Sequence, residues 1–219
     1  MQFKDKSLNF NQPQIMGILN VTPNSFSDGG LFADTKAALV QAEIMLAAGA
    51  TIIDVGGEST KPGADPVDEA TEIARVVPVI QAIVAKHDCI VSIDTSKPMV
   101  MKEAVNAGAR MINDVCALTA EGALAAAASL KVPVCLMHMQ GTPRSMQDAP
   151  VYASVVGEVY DFLEERIQKC VAAGIGSDQI IVDPVFGFGK TLEHNYQLLK
   201  HFNKFQYLNV PVLAGMSRK

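Results

Sequence analysis

Four residues whose side chains could read a heterocycle stand where apolar runs turn polar: Asp94 in SIDTS, Asn113 in INDV, Asp183 in IVDPV and Lys219 in GMSRK. A buried carboxylate accepts two parallel hydrogen bonds from a ring N–H beside an exocyclic amine. An Asn side chain offers both a donor and an acceptor, and a Lys donates to a ring carbonyl or nitrogen. Brought to one cavity, the set matches the edge of a guanine-like or pterin-like ring. Any one of these groups would serve equally well to satisfy strand-end backbone; four directed at one mouth argue for a ligand.

Two further segments suit an anion. Asn20 opens the stretch Val21 to Phe32, which carries Thr22, Asn24, Ser25, Ser27, Asp28, Gly29 and Gly30 and reads as a glycine-hinged lid. Asn20 and Asp28 are oxygen donors of the kind that help hold Mg²⁺, which keeps most of its waters and binds substrate phosphates. The loop GGESTKPGADP adds Ser59, Thr60 and Lys61 as donors, unless it is simply a solvated Gly/Pro loop.

Other constellations fail on spacing. FGFGKT (186–191) invites a phosphate-loop assignment, but that motif needs Gly at 184, where Pro184 stands. His87, His138, His194 and Glu193 show no metal-ligand spacing, although His138 ends a strand and could touch substrate. His194 and His201 read as ordinary helix residues. A Schiff-base aldolase would need Lys190 or Lys219 with a depressed pKa, and no sequence neighbour is expected to depress it.

Seven apolar segments must position these groups: 15–19, 51–55, 89–93, 109–113, 132–137, 179–183 and 210–214. Their lengths and β-branched content suit buried strands. Helical patterns fill the gaps over about 34–48, 67–86, 97–107, 120–130, 152–173 and 192–205. Asp34 is expected to cap the first helix and Gly49 to stop it, with Pro98 in the first turn of its helix. The repeating unit is about 33 residues, and such β-α alternation implies parallel strands with helical crossovers. An open doubly wound sheet and a (β/α)₈ barrel both fit. Polar residues at all seven strand ends, from Asn20 through Glu58, Asp94, Asn113, His138 and Asp183 to Arg218, favour the barrel, where every strand feeds one mouth. Seven strands are one short of eight, and a closing unit would need roughly 50 further residues to reach the usual size. The ending is therefore expected to be a cut rather than a finish, in a single domain spanning 1–219.

Composition sets the broad class. The chain has 219 residues, 49% hydrophobic and 19% charged, with a net charge of −5, which argues against a nucleic-acid footprint. No apolar run is long enough to span a membrane, and MQFKDKSLNFNQ lacks the apolar core of a signal peptide. Cys89, Cys116, Cys135 and Cys170 are widely spaced and read as reduced thiols of a cytoplasmic protein.

MGILNVTPNSFSDGG, IIDVGGESTKPGA, SIDTSKP, INDV, CLMHMQGTP, DPVFGFGK and GMSRK, in this order, resemble the dihydropteroate synthase family of folate biosynthesis in its bacterial form, over residues 16–219. The resemblance implies a (β/α)₈ barrel that joins 6-hydroxymethyl-7,8-dihydropterin pyrophosphate to p-aminobenzoate and releases pyrophosphate. It further implies Mg²⁺ as cofactor, sulfonamides as competitive inhibitors and a homodimer. Carried over motif by motif, Asp94, Asn113, Asp183 and Lys219 would bind the pterin edges, and Val115, Met137, Phe188 and Gly215 would wall it. Asn20 would sit by pyrophosphate and metal, with Phe26, Ser59, Thr60, Lys61, Pro62 and Ser217 near p-aminobenzoate and the leaving group. Asp94, Lys219 and Asn20 would carry the catalytic roles. Two alternatives remain: a non-catalytic pterin-binding fragment and a methyltetrahydrofolate:corrinoid methyltransferase-like barrel. Three departures stand out. Lys61 replaces the family's Arg, Val185 replaces a Gly, and the family's closing helices and strand, with an Arg and a His for pyrophosphate, have no counterpart.

Overall fold

The computed structural model describes residues 1–22, 30–59, 65–141 and 150–216, with the side chains of 30–34 outside that description. A small antiparallel hairpin, β1 (Gln2–Phe3) and β2 (Lys6–Ser7), precedes the repeating units. Then come β3 (Met16–Asn20), α1 (Gly30–Ala47), β4 (Ile52–Gly56), α2 (Glu69–Lys86), β5 (Ile90–Asp94), α3 (Pro98–Ala107) and β6 (Met111–Asp114). The chain continues through α4 (Ala123–Leu130), β7 (Val134–Met137), α5 (Val155–Ala172), β8 (Ile180–Asp183) and α6 (Leu192–Lys200), ending in a 3₁₀ segment, Phe202–Leu208.

The six strands β3 to β8 pair in parallel and in strict sequence order. A doubly wound sheet reverses its order at a switch point; this one never does, so every crossover helix lies on the same face. That is the barrel arrangement. Alternation along each strand then sorts the side chains. Ile53, Val55, Val91, Ile93, Leu136 and Val182 face the helices and pack with Val76, Ile80, Ile83 and Met101. Ile52, Ile90, Met111, Cys135 and Ile181 face the other way and close over Phe3 of the hairpin. The hairpin thus plugs the end of the interior opposite the strand C-termini, a role that the sequence reading did not anticipate.

Some expectations need correction. Helix α1 begins at Gly30, so Asp34 lies within it instead of capping it, whereas Gly49, at φ +103°, follows its end as expected. The seventh segment forms one bridge, Val182 to Val212, rather than a strand. Val182 N donates to Pro211 O at 3.0 Å and Leu213 N to Val182 O at 2.8 Å, but Pro211 has no N–H with which to extend the ladder. The last predicted helix gives way to 3₁₀ geometry after Lys200. At the other edge of the sheet, Ile18 of β3 is 61% exposed. Among the described residues no helix is long and apolar enough to cross a membrane.

Candidate functional site

The C-terminal ends of the strands assemble the site. Register places Asn20, Gly56, Asp94 and Asn113 side by side on four adjacent strands. Gly56 leaves this row open in the middle: a Cβ there would lie 3.5 Å from Asp94 Oδ2 and 3.6 Å from Asn20 Oδ1. Two oxygen-bearing side chains therefore flank a gap at the mouth. Ser59, half-buried, follows three residues on from Gly56. Across the mouth, Asp183 ends β8 in register with Met137.

Asp183 is held tightly. Its Oδ1 accepts Val185 N at 2.8 Å and Gly215 N at 3.3 Å. Burial dominates its protonation and pushes the carboxyl up to about 7, against the pull of those two N–H groups and of Lys190. Gly215 is required at close quarters, because a Cβ there would sit 2.6 Å from Asp183 Oδ2. Val115, Met137, Val185 and Phe188 form one apolar cluster beside this carboxylate, with Cys116 and Met139 against it. Val185 is buried at φ +41° and Phe188 at φ +44°. The β-branched residue at 185 is therefore strained, as its replacement of a Gly implied, and the turn keeps its left-handed form despite it.

Of Asn113 and Asp114, only Asn113 faces the interior. Asp114 turns back to accept Cys116 N and Leu118 N, each at 2.8 Å, with Ser96 Oγ as a further donor, and so fixes the turn that carries Val115. Arg166 supports the same turn by donating to the carbonyls of Ala117 and Leu118.

His138 does not reach the site. Its ring packs edge-on against Phe162 at 5.1 Å, and burial holds it neutral, with its pKa down at about 3. Lys190 also corrects the sequence reading: burial lowers it to about 7. It is nonetheless only 4% exposed, and its Nζ donates to His138 O at 3.2 Å, which ties the amine up inside the protein.

Sequence reasoning missed two charged groups. Asp54, in the middle of β4 and 2% exposed, accepts Asn113 Nδ2 at 2.9 Å through Oδ2. Its position inside the apolar run IIDV was the available signal, since a carboxylate in a buried strand needs a reason. The second is Lys97, which pairs with Glu58 and, at 2.5 Å, with the buried Glu72, tying the residues just after β4 to α2. Phe26, Asp28, Thr60, Lys61, Pro62, Ser217 and Lys219 lie outside the described residues. Among the described residues no group of three or more His, Cys, Asp or Glu could hold a metal. The hard side-chain oxygen of Asn20 at the mouth suits a Mg²⁺ that takes its remaining ligands from water and phosphate.

A family described as "Pterin binding enzyme" matches residues 16–219. Dihydropteroate synthase from Haemophilus influenzae is 54% identical over 215 residues, covering 98% of this chain and 78% of the relative. The crystal structure of the Yersinia pestis dihydropteroate synthase with a sulfonamide drug superimposes with a TM-score of 0.94 at 50% identity, covering 100% of this chain and 80% of that one. The Xanthomonas albilineans dihydropteroate synthase with 4-aminobenzoic acid gives 0.90 at 51% identity, covering 97% and 76%.

Proposed function

This chain belongs to the pterin-binding enzyme family and, within it, to the dihydropteroate synthases, and from that premise we propose how its own residues do the work. The substrates are 6-hydroxymethyl-7,8-dihydropterin pyrophosphate and p-aminobenzoate; the products are 7,8-dihydropteroate and pyrophosphate. The observation that carries this reading is the mouth itself. A row of Asn20, Gly56, Asp94 and Asn113 faces Asp183 across an apolar wall of Val115, Met137 and Phe188.

The pterin ring lies against that wall with its ring N–H and exocyclic amine on Asp183. Both N–H groups donate, so the contact needs the carboxylate ionised, and binding draws out the proton that burial retains in the free protein. Asn113 and Lys219 take the other polar edges. The C–O bond at the pterin methylene then breaks, and pyrophosphate leaves with the electron pair. Positive charge develops on the methylene, where the Asp94 carboxylate offsets it. The neutral aromatic amine attacks, a C–N bond forms and the amine loses a proton. No covalent enzyme intermediate is needed, in keeping with a site built of carboxylates and amides.

Asn20 would hold Mg²⁺, with Asp28 as a second oxygen donor; when bound, the ion supplies charge neutralisation for the departing pyrophosphate. Phe26, Ser59, Thr60, Lys61, Pro62 and Ser217 frame p-aminobenzoate and the leaving group, and sulfonamides compete there. We place the enzyme in the cytoplasm, a reading supported by its four free cysteines, and expect a homodimer from the family likeness. The test is pyrophosphate release from this chain with both substrates and Mg²⁺. Release that requires p-aminobenzoate supports the reading; release unaffected by omitting it overturns it.

A further inference from the structure

Asp54 has no part in the chemistry above, yet the fold alone gives no reason for a carboxylate there. Its neighbours on the same face of β4 are Ile52, packed under Phe3, and Gly56, at the open mouth. Asp54 stands between them, 2% exposed, in register with Ile18 and with Ser92, itself fully buried. Asp54 Oδ1 and the Ser92 hydroxyl make no hydrogen bond of good geometry among the described residues, although the Ser92 hydroxyl lies close enough to bear on the carboxylate. A buried carboxylate oxygen without a partner costs stability, and an aliphatic side chain would pack there without that cost. Burial pushes the Asp54 carboxyl up, and the Ser92 hydroxyl and the Asn113 amide pull it back towards the ionised form, so the Asn113 contact is one of those that let a charge stand there. What the position supplies instead is direction: its Oδ2 accepts Asn113 Nδ2 at 2.9 Å.

We propose that Asp54 is a positioning residue of the pterin site, fixing the Asn113 amide so that its carbonyl oxygen faces the substrate. The argument is one of complementarity. An ionised carboxylate only accepts, so it can pair with the NH₂ end of Asn113 and never with the carbonyl end. The flip that an isolated Asn side chain undergoes at little cost is thereby forbidden, and Asn113 presents an acceptor to ring N–H donors before any ligand arrives. Because Asn113 is in register with Asp94 on β5, the same contact holds it level with the carboxylate that faces the developing charge. Asp54 thus acts through Asn113 and touches no reacting atom.

The inference rests on the proposed pterin site, and its test separates the two. The variant is Asp54→Asn, which keeps the shape and removes the obligation to accept. In the unaltered chain, binding of 6-hydroxymethyl-7,8-dihydropterin pyrophosphate with Mg²⁺ is measured first; failure to bind overturns the pterin site itself. In Asp54→Asn the expected result is an unfolding temperature equal to or above that of the parent. Pterin affinity should fall at least tenfold, with KM for p-aminobenzoate changed less than twofold. Asn113→Ala and the double variant should lose no more than the worse of the two single variants. Pterin affinity within twofold of the parent in Asp54→Asn, or losses that multiply in the double variant, overturns the proposal. Should Asp54→Asn not fold, the side-chain amide resonances of Asn113 in the unaltered protein decide. One amide proton must lie downfield, bonded to the carboxylate, and stay there when pterin is added; its loss on binding overturns the assignment.

Discussion

Replacing Asp183 with Asn removes a buried charge while retaining an oxygen for Val185 N. In the free protein burial raises this carboxyl from 3.8 to about 7, a difference worth roughly 4 kcal/mol. The sign follows from proton binding. Between those two values the unfolded chain is ionised and the folded chain holds a proton, so the stability present at low pH is lost as pH rises through about 7. Asp183→Asn has no such loss. Lys190 is the charged neighbour that bears on Asp183; it is itself held up by the Asp183 charge, so in the variant burial lowers it further and offsets part of the gain. For a chain of this size about 1 kcal/mol corresponds to roughly 2–4 °C. The variant should unfold near the parental temperature at pH 4 and about 10 °C above it at pH 8. The assay is calorimetric unfolding across that range without substrate, with pterin affinity measured alongside. In the variant the amide turns an NH₂ towards the donors of the ring, so the more stable protein should bind pterin at least a hundredfold more weakly. Parallel unfolding curves from pH 4 to 8 would refute the claim that Asp183 is a buried, strained carboxylate kept for binding.

Other consequences are local. Lys97→Met leaves Glu72 buried without its partner and should lower stability by about 3 kcal/mol at pH 7. Urea unfolding should show that loss shrinking at acidic pH, where Glu72 takes a proton, and largely recovered when Glu72→Leu is added. Val185→Gly relieves about 1–2 kcal/mol of left-handed strain and forfeits about 2–3 kcal/mol of burial and chain entropy. Its net cost should be about 1 kcal/mol, against roughly 3–4 kcal/mol for Val134→Gly in an ordinary buried strand. Gly215→Ala forces a Cβ to within 2.6 Å of Asp183 Oδ2 unless the carboxylate moves. Calorimetry should show pterin affinity at least tenfold weaker in that variant, with little change in unfolding temperature.

The sheet and its mouth were legible because parallel strands buried on both faces leave an unbroken apolar signature, with the polar residue at each end marking the mouth. Asp94, Asn113 and Asp183 all lie at strand ends in the structure, as read. Asp54 was not legible as part of the site, since inside IIDV a single acidic residue reads as an interruption of a strand; only the inter-strand register shows that it meets Asn113. His138 was misjudged because a strand end says nothing of which way the side chain turns, and alternation sends Met137 inward and His138 towards α5. The depressed Lys190 depends on burial by residues distant in sequence, so spacing alone could not reveal it. Asp34 failed as a cap because the helix extends a turn earlier than its hydrophobic period suggests.

The central claim is that the carboxylate at the end of β8 receives the pterin ring. Calorimetric titration of this chain and of Asp183→Ala with 6-hydroxymethyl-7,8-dihydropterin pyrophosphate and Mg²⁺ tests it most directly. Binding by the parent that is abolished in a variant still folded by circular dichroism is the predicted result. Equal affinity in the two proteins would contradict it.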